Sequence, residues 1–326
     1  MSEALGFAAS LLARARAAPR RVVLPEGDDP RVREAALRLA GEGIAVPTLL
    51  GTEDTASWAV REAPGVSVRI PAGDPSLGRA AALLAERRPQ AAAAEDPRRL
   101  AADPVRFAAC LVGMGEADAS VAGAVTVTAE VVRAAIWAVG PAPGTTTVSS
   151  SFYMVTPGHG VLTFSDCGVV QHPDAGQLAE IAAAAARDRR RIVGDEPVVA
   201  FLSHSSLGSA ESESVARVRE ALARFRRLCP SVAADGELQG DAALDPGVAA
   251  RKAGGSPAAG RANVLIFPDL DSGNIAYKLV QRIGGTLALG PILQGLRRPC
   301  SDLSRGATTE DIVLIAAIAS LQAGDG

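Results

Sequence analysis

RVVLPEGDDPRVREAALRLAGEG, residues 21–43, holds two periodicities side by side. RVVLPEG (21–27) is a short β-branched run that stops at proline and glycine, as a strand entering a turn does. DPRVREAALRLAGEG repeats its apolar residues at helical spacing and ends at glycine. The same unit recurs along the chain. AVPTLLG and VSVRIP (66–71) read as the second and third strands, helices are expected over 76–87 and 103–114, and a further strand in ASVAGAV. VGPAPGTTT (139–147) carries the proline and glycine of a domain crossing. Beyond it come VSSSFYMV, GVLTFSD, the long helix DAGQLAEIAAAAARDRRRIVG, the strand PVVAFLS, the helix ESVARVREALARFRRLC, and the strands NVLIFP and TLALGPIL. QAAAAEDPRRLAAD is the one low-complexity patch, expected as loop plus helix. Strands alternating with helices predict an α/β fold with mainly parallel sheets, in which ligands gather at the carboxyl ends of strands.

The 326 residues suggest about two domains, and 48% hydrophobic residues are enough for a sizeable core. A net charge of −3, with the two signs interspersed, does not favour nucleic acid or an anionic membrane as partner. Only Lys252 and Lys278 are lysines among the 33 basic residues, so ordinary arginines carry little functional weight here. Cys110, Cys167, Cys229 and Cys300 are widely spaced and form no CxxC pair, which argues against a zinc site or a disulfide framework. Residues 1–20 lack the apolar core of a secretory signal, Glu3 and the early strand speak against a transit peptide, and no stretch approaches the ~20 apolar residues of a membrane span. A cytoplasmic protein is expected.

Three stretches concentrate chemistry. In DLSRGATTEDIVLIAAIASLQ (302–322), Thr308 and Asp311 have the spacing of a capping box, worth ~1 kcal/mol. Ser304, Arg305 and Gly306 stand just ahead of the same helix. Free N–H groups, a positive dipole end and a guanidinium fork suit an anion, and a carboxylate beside them could take a proton from a nucleophile. Cap and base both remain open for Asp311. DSGNIAYKLVQRIGG (271–285) sets Tyr277, one of two tyrosines, beside Lys278. A lysine surviving in an arginine-rich chain suits a phosphate; chance placement and a packing tyrosine are the plain alternative. In DASVAGAVTVTAEVVRAAIWAVG (118–140) a small-residue turn, Ala122-Gly123-Ala124, is followed by Thr126, Thr128 and a helix with Arg133. Such a turn with hydroxyls at a helix start suits an oxyanion, though it is more often only a turn. His159, His172 and His204 have no metal-ligand spacing and read as structural.

Taken together, VVLPEGDDPRV, VAADGELQGDAAL, DLDSGNIAYKLVQRIGG and LGPILQGLRRPCSDLSRGATTEDIV resemble the phosphate acetyltransferase family, close to the phosphate butyryltransferases, over about residues 20–323. The resemblance implies a homodimer of two three-layer α/β domains, similar in fold to isocitrate and isopropylmalate dehydrogenases, with the active site in the cleft between them. Residues 1–145 plus 297–326 would form one domain, with the Ser-Arg-Gly motif and Arg133; residues 146–296 would form the other, with the Asn-x-x-Tyr-Lys motif. It implies reversible acyl transfer between acetyl phosphate and coenzyme A, without metal or redox cofactor. Ser304, Arg305 and the base Asp311 fall on the family's catalytic positions. Arg133, Asn274, Tyr277, Lys278, Thr126 and Thr128 fall at substrate-binding positions.

A thiol of pKa near ~8.5 needs deprotonation before it attacks, so Asp311 would take the proton of coenzyme A. Ser304 would then serve the oxyanion, and Arg133, Arg305 and Lys278 the leaving phosphate. The turn departs from the family's SGAxHTT pattern: it reads AGAVTVT, with Ala122, Thr126 and Val127 at the changed positions and Ala134 after the helix arginine. Gln171-His172 also stands where asparagine is common. An acetyltransferase, a butyryl- or propionyl-type transferase and a weakly active ligand-binding paralogue all accommodate these changes. An isocitrate-type dehydrogenase is the remote alternative, and the paired-aspartate metal cluster it needs is not seen in the sequence.

Overall fold

The computed structural model describes residues 2–324; Met1, Asp325 and Gly326, the outer ends of the expected domain ranges, lie outside the described residues. In chain order the strands are β1 (Arg21–Leu24), β2 (Val46–Leu50), β3 (Ser67–Arg69), β4 (Ala119–Ala122), β5 (Ser149–Thr156), β6 (Gly160–Ser165), β7 (Val198–Leu202), β8 (Ala233–Leu238), β9 (Val264–Ile266), β10 (Leu287–Gln294) and β11 (Cys300–Asp302). They form two sheets, ordered β11-β4-β1-β2-β3 and β10-β5-β6-β9-β7-β8. The chain divides into two compact units, one of Ala8–Pro143 with 296–324 and one of Gly144–Gly295 with 2–7. Each is called here by its first strand, the β1 unit and the β5 unit.

In the β1 unit every strand pair is parallel. β1 buries three of its four residues, and the chain leaves it through Pro25 to enter the helix Pro30–Gly41. Proline at the first turn costs no hydrogen bond there, and the Asp29 carboxylate accepts the N–H of Arg31 as N-cap. The helix Thr309–Gln322 is apolar on all sides because it is buried on all sides, with every residue from Ile312 to Ala319 at most 3% exposed. It packs on the Pro30–Gly41 helix and on β1, β4 and β11. β11, β4 and β1 are neighbours and parallel, so their carboxyl ends share one edge. Segments 303–308, 123–126 and 25–27 leave the sheet there.

The β5 unit is mixed. β5 and β6 form an antiparallel hairpin whose turn holds His159, β10 pairs antiparallel with β5, and β6, β9, β7 and β8 are parallel. The helix Ala175–Ile192 opens with a full capping box between Asp174 and Gln177. It packs with Glu213–Leu228 over Val199, Phe201 and Ile266 on one side of the sheet. Phe152, Phe164, Leu202 and Leu265 form the core with their neighbours on the other side.

Two strands go unread in the sequence, and one local reading needs correction. Residues 233–238, AADGEL, form β8, although two acids interrupt the apolar run; Arg226 pairs with Asp235 and Arg219 with Glu237, which makes their burial tolerable. β11 is three residues long, too short to show a period. QAAAAEDPRRLAAD folds as two short helices, Pro89–Ala94 and Pro97–Ala102, because Asp96 caps a new start at Pro97. Among the described residues no helix is long and apolar enough to cross a membrane.

Candidate active site

The carboxyl edge of the β1 unit gathers the first group of candidate residues. Directly after β1, the Glu26 carboxylate accepts four consecutive backbone N–H groups of the turn that follows β4. Oε2 takes Gly123 at 3.0 Å and Ala124 at 2.8 Å, and Oε1 takes Val125 at 2.9 Å and Thr126 at 2.7 Å. The chain can present those N–H groups in a row because Gly123 has φ +108°, which L side chains rarely adopt. A side chain there would also collide with Asp302 Oδ1 and Leu303. The sequence leaves open whether the Ala122-Gly123-Ala124 turn offers its backbone to an oxyanion or is only a turn. It makes no such offer: the protein's own Glu26 holds those donors, and only the hydroxyls and the helix beyond remain for a ligand.

That helix, Thr128–Ala138, starts after Val127 with no side-chain cap, so no side chain of the cap residue takes its first N–H groups, and Glu130 is the acid of its first turn. Thr128 is exposed, and its Oγ1 lies 2.7 Å from Oδ2 of Asp302. Asp302 is itself 0% exposed, and its Oδ1 has no hydrogen-bond partner. Burial first of all, and the nearby Glu26 charge in addition, push its carboxyl up to about 7. Arg133, exposed on the same helix, pairs with Glu130 one turn back, and Glu130 also faces Arg106. Thr126 is partly exposed, its N–H on Glu26.

After β11, Ser304 and Arg305 are both exposed. Their loop is held by Arg31, whose guanidinium spends every N–H. Nε and Nη2 grip the two oxygens of Asp29 at 3.1 and 2.8 Å, Nη2 also reaches the Ala124 carbonyl at 2.9 Å, and Nη1 donates to the carbonyls of Arg305 at 3.0 Å and Ala307 at 2.8 Å. One planar fork thus ties the turn after β4 to the loop after β11. Asp311 stands in the first turn of Thr309–Gln322, and its capping box is complete. Its N–H reaches Thr308 Oγ1 at 3.2 Å, and its Oδ2 accepts both the N–H and the hydroxyl of Thr308 at 2.8 Å. Among the described residues Oδ1 of Asp311 accepts no hydrogen bond. The cap uses one oxygen and leaves the other able to receive a proton.

Asn274, Tyr277 and Lys278 belong to the β5 unit, on the helix Leu270–Gly284. Asp269 caps it, and Asn274 Nδ2 ties it to the Cys167 carbonyl at 3.0 Å. Tyr277 stacks on Phe152, ring centroids 3.9 Å apart and planes 16° from parallel. Both side chains are therefore engaged in seating the helix. Lys278 is exposed, with Nζ 5.2 Å from the Tyr277 ring. Beneath this helix Asp166 is buried and accepts the N–H groups of Gly168 and Val170 and the hydroxyl of Ser150.

Sequence reading passed over Glu26, Arg31 and Asp302. The signal was present in PEGDDPR, which served only as part of a family marker, and composition had discounted arginines as a class. Comparison with known proteins agrees with the blocks quoted above. A family described as Phosphate acetyl/butaryl transferase matches residues 6–320. A phosphate acetyltransferase of Paracoccus denitrificans is 48% identical over 94% of this chain and 96% of its own length. One of Acetivibrio thermocellus is 45% identical over 98% of each. The crystal structure of a phosphotransacetylase from Streptococcus pyogenes superposes with a TM-score of 0.90 at 38% identity, covering 99% of this chain and 98% of that one. The chain belongs to the phosphate acetyl/butaryl transferase family.

Proposed function

We propose that the chain transfers an acetyl group reversibly between phosphate and coenzyme A. The observation that carries this reading is the loop after β11. Ser304 and Arg305 are exposed, their backbone is fixed by Arg31, and Asp311 beside them keeps a free carboxylate oxygen. Asp311 takes the thiol proton of coenzyme A. The thiolate attacks the carbonyl carbon of acetyl phosphate, Ser304 donates to the oxyanion, and the C–O bond to phosphate breaks as the thioester forms. Arg305, Arg133 and the Thr126 and Thr128 hydroxyls receive the departing phosphate. Arg133 must exchange Glu130 for substrate, a small cost for an exposed pair.

Direct transfer suits the cysteines. Burial pushes Cys110 and Cys300 up to about 12, and Cys167 well above its usual value, so none of these three is a ready nucleophile. Lys278 is the member of the Asn-x-x-Tyr-Lys motif whose head, lying over the Tyr277 ring, makes no hydrogen bond or ion pair among the described residues, and we assign Asn274 and Tyr277 to holding it in place for substrate. A homodimer is part of the proposal. It is supported by the stripe Ile275, Leu279 and Ile283 on the Leu270–Gly284 helix, exposed by 57, 52 and 82%. A cytoplasmic location and the absence of a resident metal or redox cofactor complete it.

The test is coenzyme A-dependent release of phosphate from acetyl, propionyl and butyryl phosphate, before and after exhaustive chelation. Acetyl phosphate is expected to be fastest, with turnover unchanged by EDTA. A faster butyryl phosphate would move the assignment to the longer-chain transferases, and no release from any of them would overturn it.

A further inference from the structure

Glu26 and Asp302 flank Gly123 from two sides, one on its N–H and the other against its Cα. The first carboxylate is satisfied by four donors. The second is not: the Thr128 hydroxyl is its side-chain partner, the nearby Leu303 N–H bonds the Ala122 carbonyl and only adds its dipole, and one oxygen is orphaned in a place without solvent. An ionised carboxylate so placed lacks most of the hydrogen bonds that its charge demands, whereas a protonated one needs far fewer. The remaining charges around β11 offer it no cation. β4 carries none. On the Thr128–Ala138 helix Arg133 pairs with Glu130, and on the Thr309–Gln322 helix Glu310 pairs with Arg38 while Asp311 caps Thr308. Arg31 is committed to Asp29 and three carbonyls. Cys300, on β11 itself, is neutral near pH 7.

The contact with Thr128 has two senses. An ionised Asp302 only accepts, so the Thr128 hydroxyl must turn its proton inward and shows only lone pairs to solvent. A protonated Asp302 donates to Thr128 Oγ1, and the hydroxyl proton is released outward, beside the uncapped start of the helix. We propose that Asp302 is a positioning residue that works in its protonated form, aiming the Thr128 hydroxyl at an oxygen of the acyl phosphate. This rests on the proposed function, in which Thr128 faces the phosphoryl group. The enzyme then binds acyl phosphate best while Asp302 keeps its proton. Raising the pH through about 7, where the buried carboxyl titrates, replaces a donor with lone pairs facing an anion.

The experiment is the pH dependence of KM for acetyl phosphate, between pH 6 and 8.5, in the wild type and in Asp302→Asn, Asp302→Ala and Thr128→Val. One donor to a charged group corresponds to a factor of about ten or more. In the wild type KM should rise by that factor above pH 7. Asp302→Ala, which removes the acceptor that turns the Thr128 proton inward, should show no pH dependence of KM. Asp302→Asn, whose amide donates permanently, should rescue the low KM and abolish the pH dependence. Thr128→Val should show the raised KM at every pH. A flat wild-type profile, or an Asp302→Asn profile that still rises, overturns the inference. If Thr128→Val leaves KM unchanged while turnover continues, the phosphoryl group is not at Thr128 and the inference falls with that placement. The proton can also be read without turnover, from the infrared carboxylic band at pH 6 in the wild type minus Asp302→Asn, a subtraction that removes the buried Asp166. A missing band overturns the inference even if the chain transfers no acetyl group.

Discussion

Replacing Asp311 by asparagine separates its two roles. In the structure Oδ2 alone serves the cap, accepting the N–H and hydroxyl of Thr308 at 2.8 Å. The amide oxygen of asparagine can take both bonds. What is lost is their charge assistance and a negative charge in the first helical turn, worth ~0.3–1 kcal/mol; loss of the whole cap would cost about 1 kcal/mol. The helix is also buried from Ile312 to Ala319, so its place does not depend on the cap. Unfolding should therefore shift by less than ~1 kcal/mol. The free oxygen has no such substitute, because an amide cannot hold a thiol proton at neutral pH. General-base catalysis contributes at least ~100-fold, which is the expected fall in turnover. Part of it should return with alkali: between pH 7 and 8.5 the thiolate fraction of a thiol with pKa ~8.5 rises about fifteenfold. The assay is thioester formation from acetyl phosphate and coenzyme A, with a thermal melt of each protein. A variant that keeps wild-type turnover and melts earlier would refute the base and leave Asp311 a cap.

Arg305→Gln should lower turnover by at least tenfold, about 1.4 kcal/mol, with little change in melting because the side chain is exposed; unchanged turnover with earlier melting would make it structural. Arg31→Lys keeps the charge but replaces five fixed donors by three mobile ones. It should lower kcat by about tenfold or more by releasing the Arg305 and Ala307 carbonyls, and equal kcat would show that the loop holds itself. At acid pH, Glu237 reports on the β5 unit. Hydrogen bonds from Arg219, the Gly208 N–H and the Ser205 hydroxyl outweigh its burial and hold it at about 2. A carboxyl depressed in the fold stabilises above its unfolded pKa of ~4.3 and loses that contribution as pH falls toward 2. Glu237→Gln should be less stable than wild type at pH 6, with the gap closing below pH 4; a gap constant with pH would refute the linkage.

Local pattern decided a good part of this protein. The strand-to-helix change at 21–43 and its repetition carried the α/β class, because burying one face of a helix or strand writes its period into the sequence directly. The T-x-x-D spacing carried the cap at Thr308 and Asp311, since capping partners lie three residues apart on the chain. The SRG block placed Ser304 and Arg305 ahead of a helix, where the structure has them. β8 escaped because its two acids are neutralised by arginines of another helix, which no local window contains.

Only the tertiary structure decided how the edge of the β1 unit is wired. Glu26 meets residues 123–126 about a hundred positions away, Arg31 meets Arg305 and Ala307 more than 270 away, and Thr128 meets Asp302 at a separation of 174. These segments converge because β11 inserts beside β4 at the end of the chain, and parallel neighbours release their loops on a common edge. From sequence, the AGAVTVT turn read either as open to an anion or as only a turn, and Asp302 was only a letter before LSRG. Whether a backbone donor is free, or a carboxyl keeps its proton, depends on which group folding brings against it and how much water folding removes.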